Sequence, residues 1–181
     1  MADLSRDPII NAVYNGIKEG IRTCLSANCW GSTAILIYSG IDAMAYVAMP
    51  SGQVDVGRKD FVSWVDRYVH FPCKEQITGL DLYGARCGMV HNHSTFSRLT
   101  REGKCRTVGY VDQSRPAVIY RPEVSTSLVM VSIRDLAEAF FSGVDRFLVD
   151  VFSQPDRAAI AEERFQKLVH TLPFRAGEDE T

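Results

Sequence analysis

Residues 81–94 have the sequence DLYGARCGMVHNHS, and this stretch indicates both the fold and the chemistry of the chain. Its apolar residues recur at helical spacing and predict a largely buried helix. That helix carries Arg86 and ends beside two of the four histidines, His91 and His93. An arginine holds a phosphate through a planar, permanently charged fork, and a histidine moves a proton near neutral pH. The trio could therefore cleave a phosphodiester without a metal; the structural alternative is a helix-capping Arg86 and histidines that fill a polar loop.

The spacing R-x-x-x-x-H from Arg86 to His91, or R-x-x-x-x-x-x-H to His93, resembles the signature of the HEPN superfamily. That superfamily consists of small all-helical proteins, many of which are metal-independent ribonucleases of toxin and defence systems. Helical segments before the motif, and a polar loop and more helix after it, extend the resemblance in outline over most of the chain. The resemblance implies a HEPN-like helical bundle that forms a homodimer.

The resemblance also implies roles for individual residues. The ribose 2′-hydroxyl would attack the adjacent phosphorus and leave a cyclic phosphate. His91 would transfer the proton, Arg86 would stabilise the phosphorane, and His93 would orient the substrate or replace His91. The expected supporting residues are Asp42, Tyr83, Cys87 and Asn92. RNA is the implied partner, together with a cognate antitoxin or defence partner, and no cofactor is expected.

The resemblance also implies a composite site at the dimer interface, and helix geometry bears on it. On a continuous helix about 140° separates Arg86 from His91, whereas Arg86 and His93 are only about 20° apart but lie two turns from each other. An Arg86–His91 cluster within one chain would therefore require the helix to unwind near His91. Pairing this segment with its copy across a two-fold axis would bring two arginines and several histidines together.

The pattern of apolar residues predicts a mainly α fold. We expect a first helix from Pro8 to about Ala27, and a second, almost entirely apolar helix through Ala48 at the centre of the bundle. Later helices are predicted after an Asp60 N-cap, from Thr78 or Asp81, from Ser125 or Ser127, and from Pro155 through His170. Asp42 lies inside the central apolar helix, where a carboxylate needs a donor. Arg86 is one candidate partner, and a neighbouring tyrosine such as Tyr46 is the other.

The segment after the motif is polar and basic. Between Arg98 and Arg121 six basic residues face two acidic ones, an excess of four positive charges. This is the one patch suited to a polyanion, and the alternative is a solvated loop. The predicted RNA-binding residues are Arg98, Arg101, Lys104 and Arg106. Two β-prone runs joined by residues 112–116 predict a small β-hairpin at about 106–121.

Length and composition bound the remaining possibilities. With 181 residues, 46% of them hydrophobic, the chain is expected to form one helical-bundle domain over 1–174, followed by an acidic disordered tail at 175–181. A net charge of -2 argues against a general nucleic-acid coat. The five cysteines contain no C-x-x-C and indicate reduced thiols in the cytoplasm. The longest apolar stretch, 34–49, is too short for a membrane span, and the N-terminus lacks the pattern of a signal peptide.

Other functions are less well supported by the sequence. The phosphate-binding, dinucleotide-binding, metalloprotease and serine-hydrolase motifs are absent from it. Cys87, His91 and His93 are the best metal-ligand candidates, but no second pair of ligands follows, and no metal site is predicted. A non-catalytic helical module that binds protein or RNA stays open, because active HEPN proteins commonly have a small polar residue where this chain has Cys87. A small-molecule pocket lined by Asp42, Tyr46 and Tyr83 is a third possibility.

Overall fold

The computed structural model describes residues 7–75, 77–112 and 116–169, and its first element is one continuous helix in two parts. A π-helix, Ile9–Lys18, runs directly into the α-helix α1, Glu19–Ser26. The Asp7 carboxylate accepts the backbone N–H groups of Ile9 and Ile10, each at 2.9 Å. This is the bonding expected of an acidic cap just before a helix that begins at proline.

Helix α2, Trp30–Ala48, lies at the centre of the molecule, as its sequence predicts. It packs against four other α-helices besides α1. Those helices are α3 (Arg58–Tyr68), α4 (Gly79–Asn92), α6 (Ile133–Phe152) and α7 (Pro155–Phe165). The approach of α6 is so close that a Cβ at Gly40 would lie 2.6 Å from the Phe140 ring. The glycine therefore allows the Phe140 side chain, which is fully buried, to pack directly on the α2 backbone.

A three-stranded sheet is attached to the helices beside α4. Its strands are β1 (Thr107–Val111), β2 (Val118–Ile119) and β3 (Leu128–Ser132), and their order is β1-β3-β2. β1 runs parallel to β3, with Thr107 opposite Leu128, whereas β2 runs antiparallel to β3, with Val118 opposite Val131. β1 packs against α4, so the sheet covers one flank of the helix that carries Arg86.

The predicted hairpin at 106–121 is therefore wrong in its pairing. β1 and β2 both fall inside that range, but β3 lies between them, and the predicted turn residues 113–115 are outside the described residues. The run LVMVS at 128–132 falls at the predicted start of a long helix, but it forms β3, and the helix α6 begins only at Ile133. A short apolar run fits either a strand or a buried helical turn. Valines at 129 and 131 that are both buried favour the strand here.

Two other predicted helix limits also shift. Asp60 is not the N-cap of α3, because Gly57 holds that position and the Asp60 carboxylate accepts the Gly57 N–H from the first turn at 2.7 Å. Helix α7 ends at Phe165 rather than continuing to His170, which lies outside the described residues together with the predicted tail at 175–181.

Both ends of α4 are fixed by local bonding. At its start the Thr78 hydroxyl accepts the Asp81 N–H at 3.1 Å, and the Asp81 carboxylate accepts the Thr78 N–H at 3.1 Å, which is a capping box. At its end His93 has φ of 50°, the left-handed conformation that stops a helix, and the Ser94 N–H returns to the Gly88 carbonyl at 3.2 Å. These contacts set the position of Arg86 between them.

Two further properties of the described residues are the length of their helices and the state of their cysteines. No described helix is long and apolar enough to cross a membrane. Cys24, Cys29, Cys73, Cys87 and Cys105 are all free thiols.

Candidate functional site

An ion pair between two neighbouring helices forms the base of the candidate site. The Arg86 Nε of α4 donates to the Asp42 Oδ2 of α2 at 2.8 Å. Both side chains are about one quarter exposed, at 24% for Arg86 and 26% for Asp42. The predicted pairing of Asp42 with Arg86 is therefore confirmed, and the alternative partner Tyr46 instead has the Arg164 guanidinium over its ring at 5.6 Å.

His91 reaches the same arginine from the end of α4. The Arg86 Nη1 lies 3.4 Å from the His91 Nε2. Helix α4 continues unbroken to Asn92, so the expectation that these two residues meet only if the helix unwinds is wrong. The long, flexible arginine side chain spans the angular separation that the helix imposes on the two backbones. Asp42, Arg86 and His91 thus form one contiguous cluster within a single chain.

The charges of the cluster depend on its partial burial. Burial raises the pKa of Asp42 above its ordinary value of 3.8, although the hydrogen bond and the charge of Arg86, and the proximity of His91, act in the opposite direction. Burial also acts to lower the pKa of Arg86, but the hydrogen bond and the negative charge of Asp42 outweigh it and the pKa is raised. Arg86 is therefore a permanent cation held in place by a carboxylate.

The supporting residues predicted on α4 divide into two groups. Tyr83 and Cys87 lie next to the Asp42–Arg86 pair, and burial, followed by the charge and the hydrogen bond of Cys87, raises the pKa of the Tyr83 phenol. The Tyr83 ring also packs edge-on against Phe61, with ring centroids 5.5 Å apart. Asn92 is exposed at the last position of α4.

His93 has a different environment from His91. Its imidazole lies against the start of α2, where a Cβ at Gly31 would be 2.8 Å from the His93 Nε2. Its backbone ends helix α4. The structure therefore brings Asp42, Arg86 and His91 together and gives His93 a position at the helix terminus.

The predicted RNA-binding segment is partly neutralised by its own acidic residue. Arg98 begins the short helix α5, Arg98–Arg101, and its Nε pairs with Glu102 at 2.6 Å. Lys104 pairs with the same carboxylate at 2.7 Å, and the two hydrogen-bonded cations lower the pKa of Glu102 to about 2. Arg101 is exposed. The positive charge available at this surface is therefore smaller than the count along the sequence indicates.

Arg106 has a clear structural contact. Its Nη2 lies 2.6 Å and its Nε 3.0 Å from the Asp81 Oδ2, and its backbone N–H donates to the Asp81 Oδ1 at 2.8 Å. Asp81 is buried, and the Arg106 guanidinium also lies over the Tyr120 ring at 4.8 Å. Arg106 thus joins the start of α4 to the strand β1.

A groove that the sequence did not reveal adds two cations to the basic surface. It has a volume of about 480 Å³ and is lined by Arg58 and Lys59 of α3, by Lys104, and by apolar side chains that include Val62 and Leu80. Arg58 and Lys59 are exposed at the first turn of α3. More than forty residues separate them from Lys104, so only the packing of α3 on α4 brings the three cations together.

Comparisons with family models, with curated proteins and with solved structures found no match for this chain. Among residues 7–75, 77–112 and 116–169, no three His, Cys, Asp or Glu side chains are grouped so that they could hold a metal ion.

Proposed function

We propose that the protein is a HEPN-like, metal-independent endoribonuclease and that Arg86 and His91 are its catalytic residues. The observation that carries the proposal is the contiguous Asp42–Arg86–His91 cluster, in which a fixed cation lies beside an exposed imidazole. The sequence resemblance adds that such a pair in a helical protein belongs to nucleases of toxin and defence systems. That setting is part of the proposal.

The bonding of Arg86 suits it to a phosphate. Asp42 takes the Nε, so the N–H groups of the two Nη atoms point away from the ion pair and can donate to phosphate oxygens. A guanidinium only donates, so in its contact with Arg86 the His91 Nε2 must be the acceptor. This nitrogen therefore carries a lone pair and no proton, and the lone pair becomes available to a general base when a bound phosphate takes the Arg86 donor in place of His91.

The reaction proceeds by internal attack within the RNA. His91 Nε2 removes the proton from the ribose 2′-hydroxyl, and the 2′ oxygen forms a bond to the adjacent phosphorus. Arg86 stabilises the additional negative charge on the phosphorane. The bond from phosphorus to the 5′ oxygen breaks, and that oxygen takes a proton from a protonated His91 of the partner subunit. The products are a 2′,3′-cyclic phosphate and a free 5′-hydroxyl.

A homodimer fits the surface around the cluster. Val90, 39% exposed, precedes His91, and Phe96, 58% exposed, lies in the segment that folds back over Gly88. Large exposed apolar side chains beside a polar site are typical of a protein contact. A two-fold contact through these residues would place two copies of His91 near each other and supply both the base and the acid.

The basic groove offers a second contact for the RNA backbone. Leu80 and Arg86 are six positions apart on α4, which corresponds to about 9 Å along the helix and to different sides of it. A nucleotide bound at Arg86 therefore does not fill the groove of Arg58, Lys59 and Lys104, but a longer strand can contact both. Substrates of several nucleotides are expected to bind more tightly than a dinucleotide. This difference in affinity should decrease as the salt concentration rises.

The deciding experiment is incubation of the purified protein with a mixed RNA pool in EDTA, with analysis of the fragment ends. We expect cuts with cyclic-phosphate ends in the wild type and none above background in Arg86→Ala. DNA of the same sequence is a control, because it lacks the 2′-hydroxyl and should stay intact. Arg22→Ala removes an exposed arginine of α1, outside both the cluster and the predicted RNA-binding segment, and should cleave as the wild type does. Equal cleavage by wild type and Arg86→Ala would refute the assignment.

A non-catalytic module that binds RNA or protein is the second candidate. One observation favours it: Asp42 already balances the charge of Arg86, so the pair could be a purely structural link between α2 and α4. The two functions differ when the protein is overproduced in a bacterial host. A nuclease should impair growth and Arg86→Ala should restore it, whereas a binding module should be tolerated in both forms.

A further inference from the structure

A second cavity on α3, which shares Ser63 with the basic groove, has an unusual set of polar side chains. It has a volume of about 160 Å³ and lies between the C-terminal end of α2, helix α3 and helix α7. The polar residues in its wall are Asp60, Ser63, Trp64, Arg67, Tyr68 and Arg157. None of them belongs to the Asp42–Arg86–His91 cluster.

Trp64 contributes a buried donor without an acceptor. Its side chain is 2% exposed, and its Nε1 has no hydrogen-bond partner among the described residues. An unpaired buried N–H costs free energy comparable to a lost hydrogen bond, so such groups in a cavity wall commonly indicate a missing partner. The partner that would satisfy Trp64 is a hydrogen-bond acceptor.

Two arginines converge at the same cavity. Arg67 Nη2 and Arg157 Nη1 both bind the Asp150 Oδ2, at 3.1 Å and 3.0 Å. Each of these contacts uses one nitrogen of the guanidinium, so further N–H donors of both arginines remain for a second acceptor. The one acid in the wall, Asp60, already accepts from the Gly57 N–H and from the Gln53 Nε2. Donors are therefore in excess, and an anion suits the cavity better than a cation.

An apolar chamber adjoins this polar one. It has a volume of about 190 Å³, it shares Ala48, Met49, Pro50 and Arg157 with the first, and its other walls are Val47, Val151 and Ile160. The two chambers thus meet at Arg157. A ligand with a charged head and a short hydrocarbon tail would place the head among the donors and the tail against the aliphatic side chains.

We propose that the two chambers together bind a small organic anion, namely a carboxylate with a short aliphatic chain. Its carboxylate oxygens accept from the Trp64 Nε1 and from the arginine forks, for which planar carboxylate geometry is well matched. The apolar chamber limits the tail to a few carbon atoms. The site is separate from the proposed nuclease site and does not depend on it.

Butyrate is a suitable probe, and the indole N–H resonances of ¹⁵N-labelled protein provide the readout. The chain has two tryptophans, and the second, Trp30, lies under the Arg134 guanidinium away from the cavity. We expect the Trp64 indole proton to shift downfield and to saturate with butyrate, while the Trp30 resonance stays in place. Butyramide has the same shape without the charge, and its affinity should be lower than that of butyrate by at least about tenfold.

Two variants test the assignment in different ways. Arg157→Gln removes one charged fork and should weaken butyrate binding by about tenfold. Because Arg157 also bonds to Asp150, its loss could disturb folding, so Ala48→Leu serves as a second variant that keeps every polar group and fills the shared wall with its larger side chain. It should abolish the Trp64 shift while the far-ultraviolet circular dichroism stays unchanged.

The proposal is overturned if the Trp64 resonance stays in place up to about 100 mM butyrate, a concentration roughly 100-fold above a millimolar dissociation constant. An equal response to butyramide, or an unchanged affinity in folded Ala48→Leu, would overturn it as well. RNA cleavage need not be measured for any of these outcomes.

Discussion

Asp42 fixes the position of the Arg86 side chain, and the other end of the guanidinium contacts His91. Asp42 binds the Nε at 2.8 Å, and the Nη1 faces the exposed imidazole of His91 at 3.4 Å. A side chain held in this way loses little conformational entropy when it binds a phosphate, which is the advantage of a preorganised site. The two histidines of the motif differ sharply in their surroundings, and this difference can be tested.

His91→Asn and His93→Asn form a matched pair of substitutions. His93 has φ of 50°, and asparagine tolerates that conformation better than most residues, so helix α4 should still end at the same place. We expect His93→Asn to retain most of the RNA cleavage and His91→Asn to lose it by about 100-fold or more, the usual effect of removing a general base. Rates measured on one RNA substrate in EDTA decide this. Similar losses in both variants would contradict the assignment of His91 as the only catalytic histidine.

Asp42→Asn tests the support of Arg86. Asparagine can still accept from the Arg86 Nε but holds it less firmly, and we expect cleavage to fall by about tenfold or more because the guanidinium is less well positioned. A decrease in the cleavage rate no larger than the variation between preparations would show that the Arg86 guanidinium does not depend on Asp42 for its position.

The same variant should have a distinct pH dependence of folding. Burial raises the folded-state pKa of Asp42 above 3.8, so ionisation costs more in the folded state than in the unfolded state. The favourable contribution of the protonated group is complete below the unfolded pKa and is lost as the pH rises through the folded pKa. In urea unfolding, wild type should lose stability relative to Asp42→Asn as the pH rises from below 4 towards 7.

At the scale of elements, α4 depends on contacts at its two ends. Asp81 caps its N-terminus and also binds Arg106, which precedes β1, so one buried carboxylate fixes both the helix and the neighbouring strand. The carbonyl of Phe96 passes the other end so closely that a Cβ at Gly88 would lie 2.9 Å from it. The spacing of Arg86 from His91 is a consequence of this fixed helix.

Asp81→Asn should therefore destabilise the protein without removing any of the proposed catalytic side chains. The substitution weakens a charge-assisted pair and a cap, and we expect a loss of about 2 kcal/mol in the free energy of unfolding at pH 7. Asp55→Asn, at an exposed loop position, is the matched control and should change stability by less than about 0.5 kcal/mol. Chemical denaturation of both variants measures the difference.

The effect of Asp81 should also disappear in acid. Burial acts to raise the pKa of its carboxyl, but hydrogen bonds from Arg106 and Thr78 outweigh burial and lower it below 3.8. A lowered folded-state pKa contributes stability above the unfolded pKa, and this contribution is lost as the pH falls through the folded pKa. The difference in the free energy of unfolding between wild type and Asp81→Asn should therefore decrease below about pH 4. A gap that stays constant down to pH 3 would mean that the pair contributes nothing through its charge.

At the scale of the whole molecule, one polar contact joins the central helix to the sheet. The hydroxyls of Tyr38 on α2 and Tyr110 on β1 lie 2.5 Å apart, and Tyr38 is completely buried. Burial raises the pKa of Tyr110 to about 12, although the hydrogen bond with Tyr38 acts in the opposite direction. The contribution of the protonated Tyr110 hydroxyl to folding stability is thus complete below about pH 10 and is lost as the pH rises through about 12.

A double-mutant cycle on this pair measures how firmly the sheet is attached. Tyr110→Phe leaves the buried Tyr38 hydroxyl without its partner, and we expect a loss of about 2 kcal/mol. Tyr38→Phe with Tyr110→Phe removes both polar groups and should cost less than the sum of the two single changes. Strict additivity of the three free energies of unfolding would show that the two hydroxyls do not interact.

The sequence predicted those features that depend on local pattern. The apolar α2 lies at the centre because an almost uniformly apolar helix must be surrounded. Of the two residues predicted to begin α4, Thr78 is its N-cap. Of the two partners predicted for Asp42, Arg86 is the one that it binds, since a carboxylate within an apolar helix must have a donor. It failed at residues 128–132, where a short apolar run has no period long enough to separate strand from helix.

Contacts between distant segments were decided only by the tertiary structure. The insertion of β3 between β1 and β2, the capture of Arg106 by Asp81, and the approach of Arg58 and Lys59 to Lys104 all join residues far apart in the chain. The proximity of His91 to Arg86 depends on side-chain reach and direction rather than on backbone spacing, so helix angles alone excluded a contact that the folded chain makes. Sequence thus determined which residue types and helices are present. Packing determined which of the charged side chains form ion pairs, because a side chain can pair only with an opposite charge that the folded chain places within its reach.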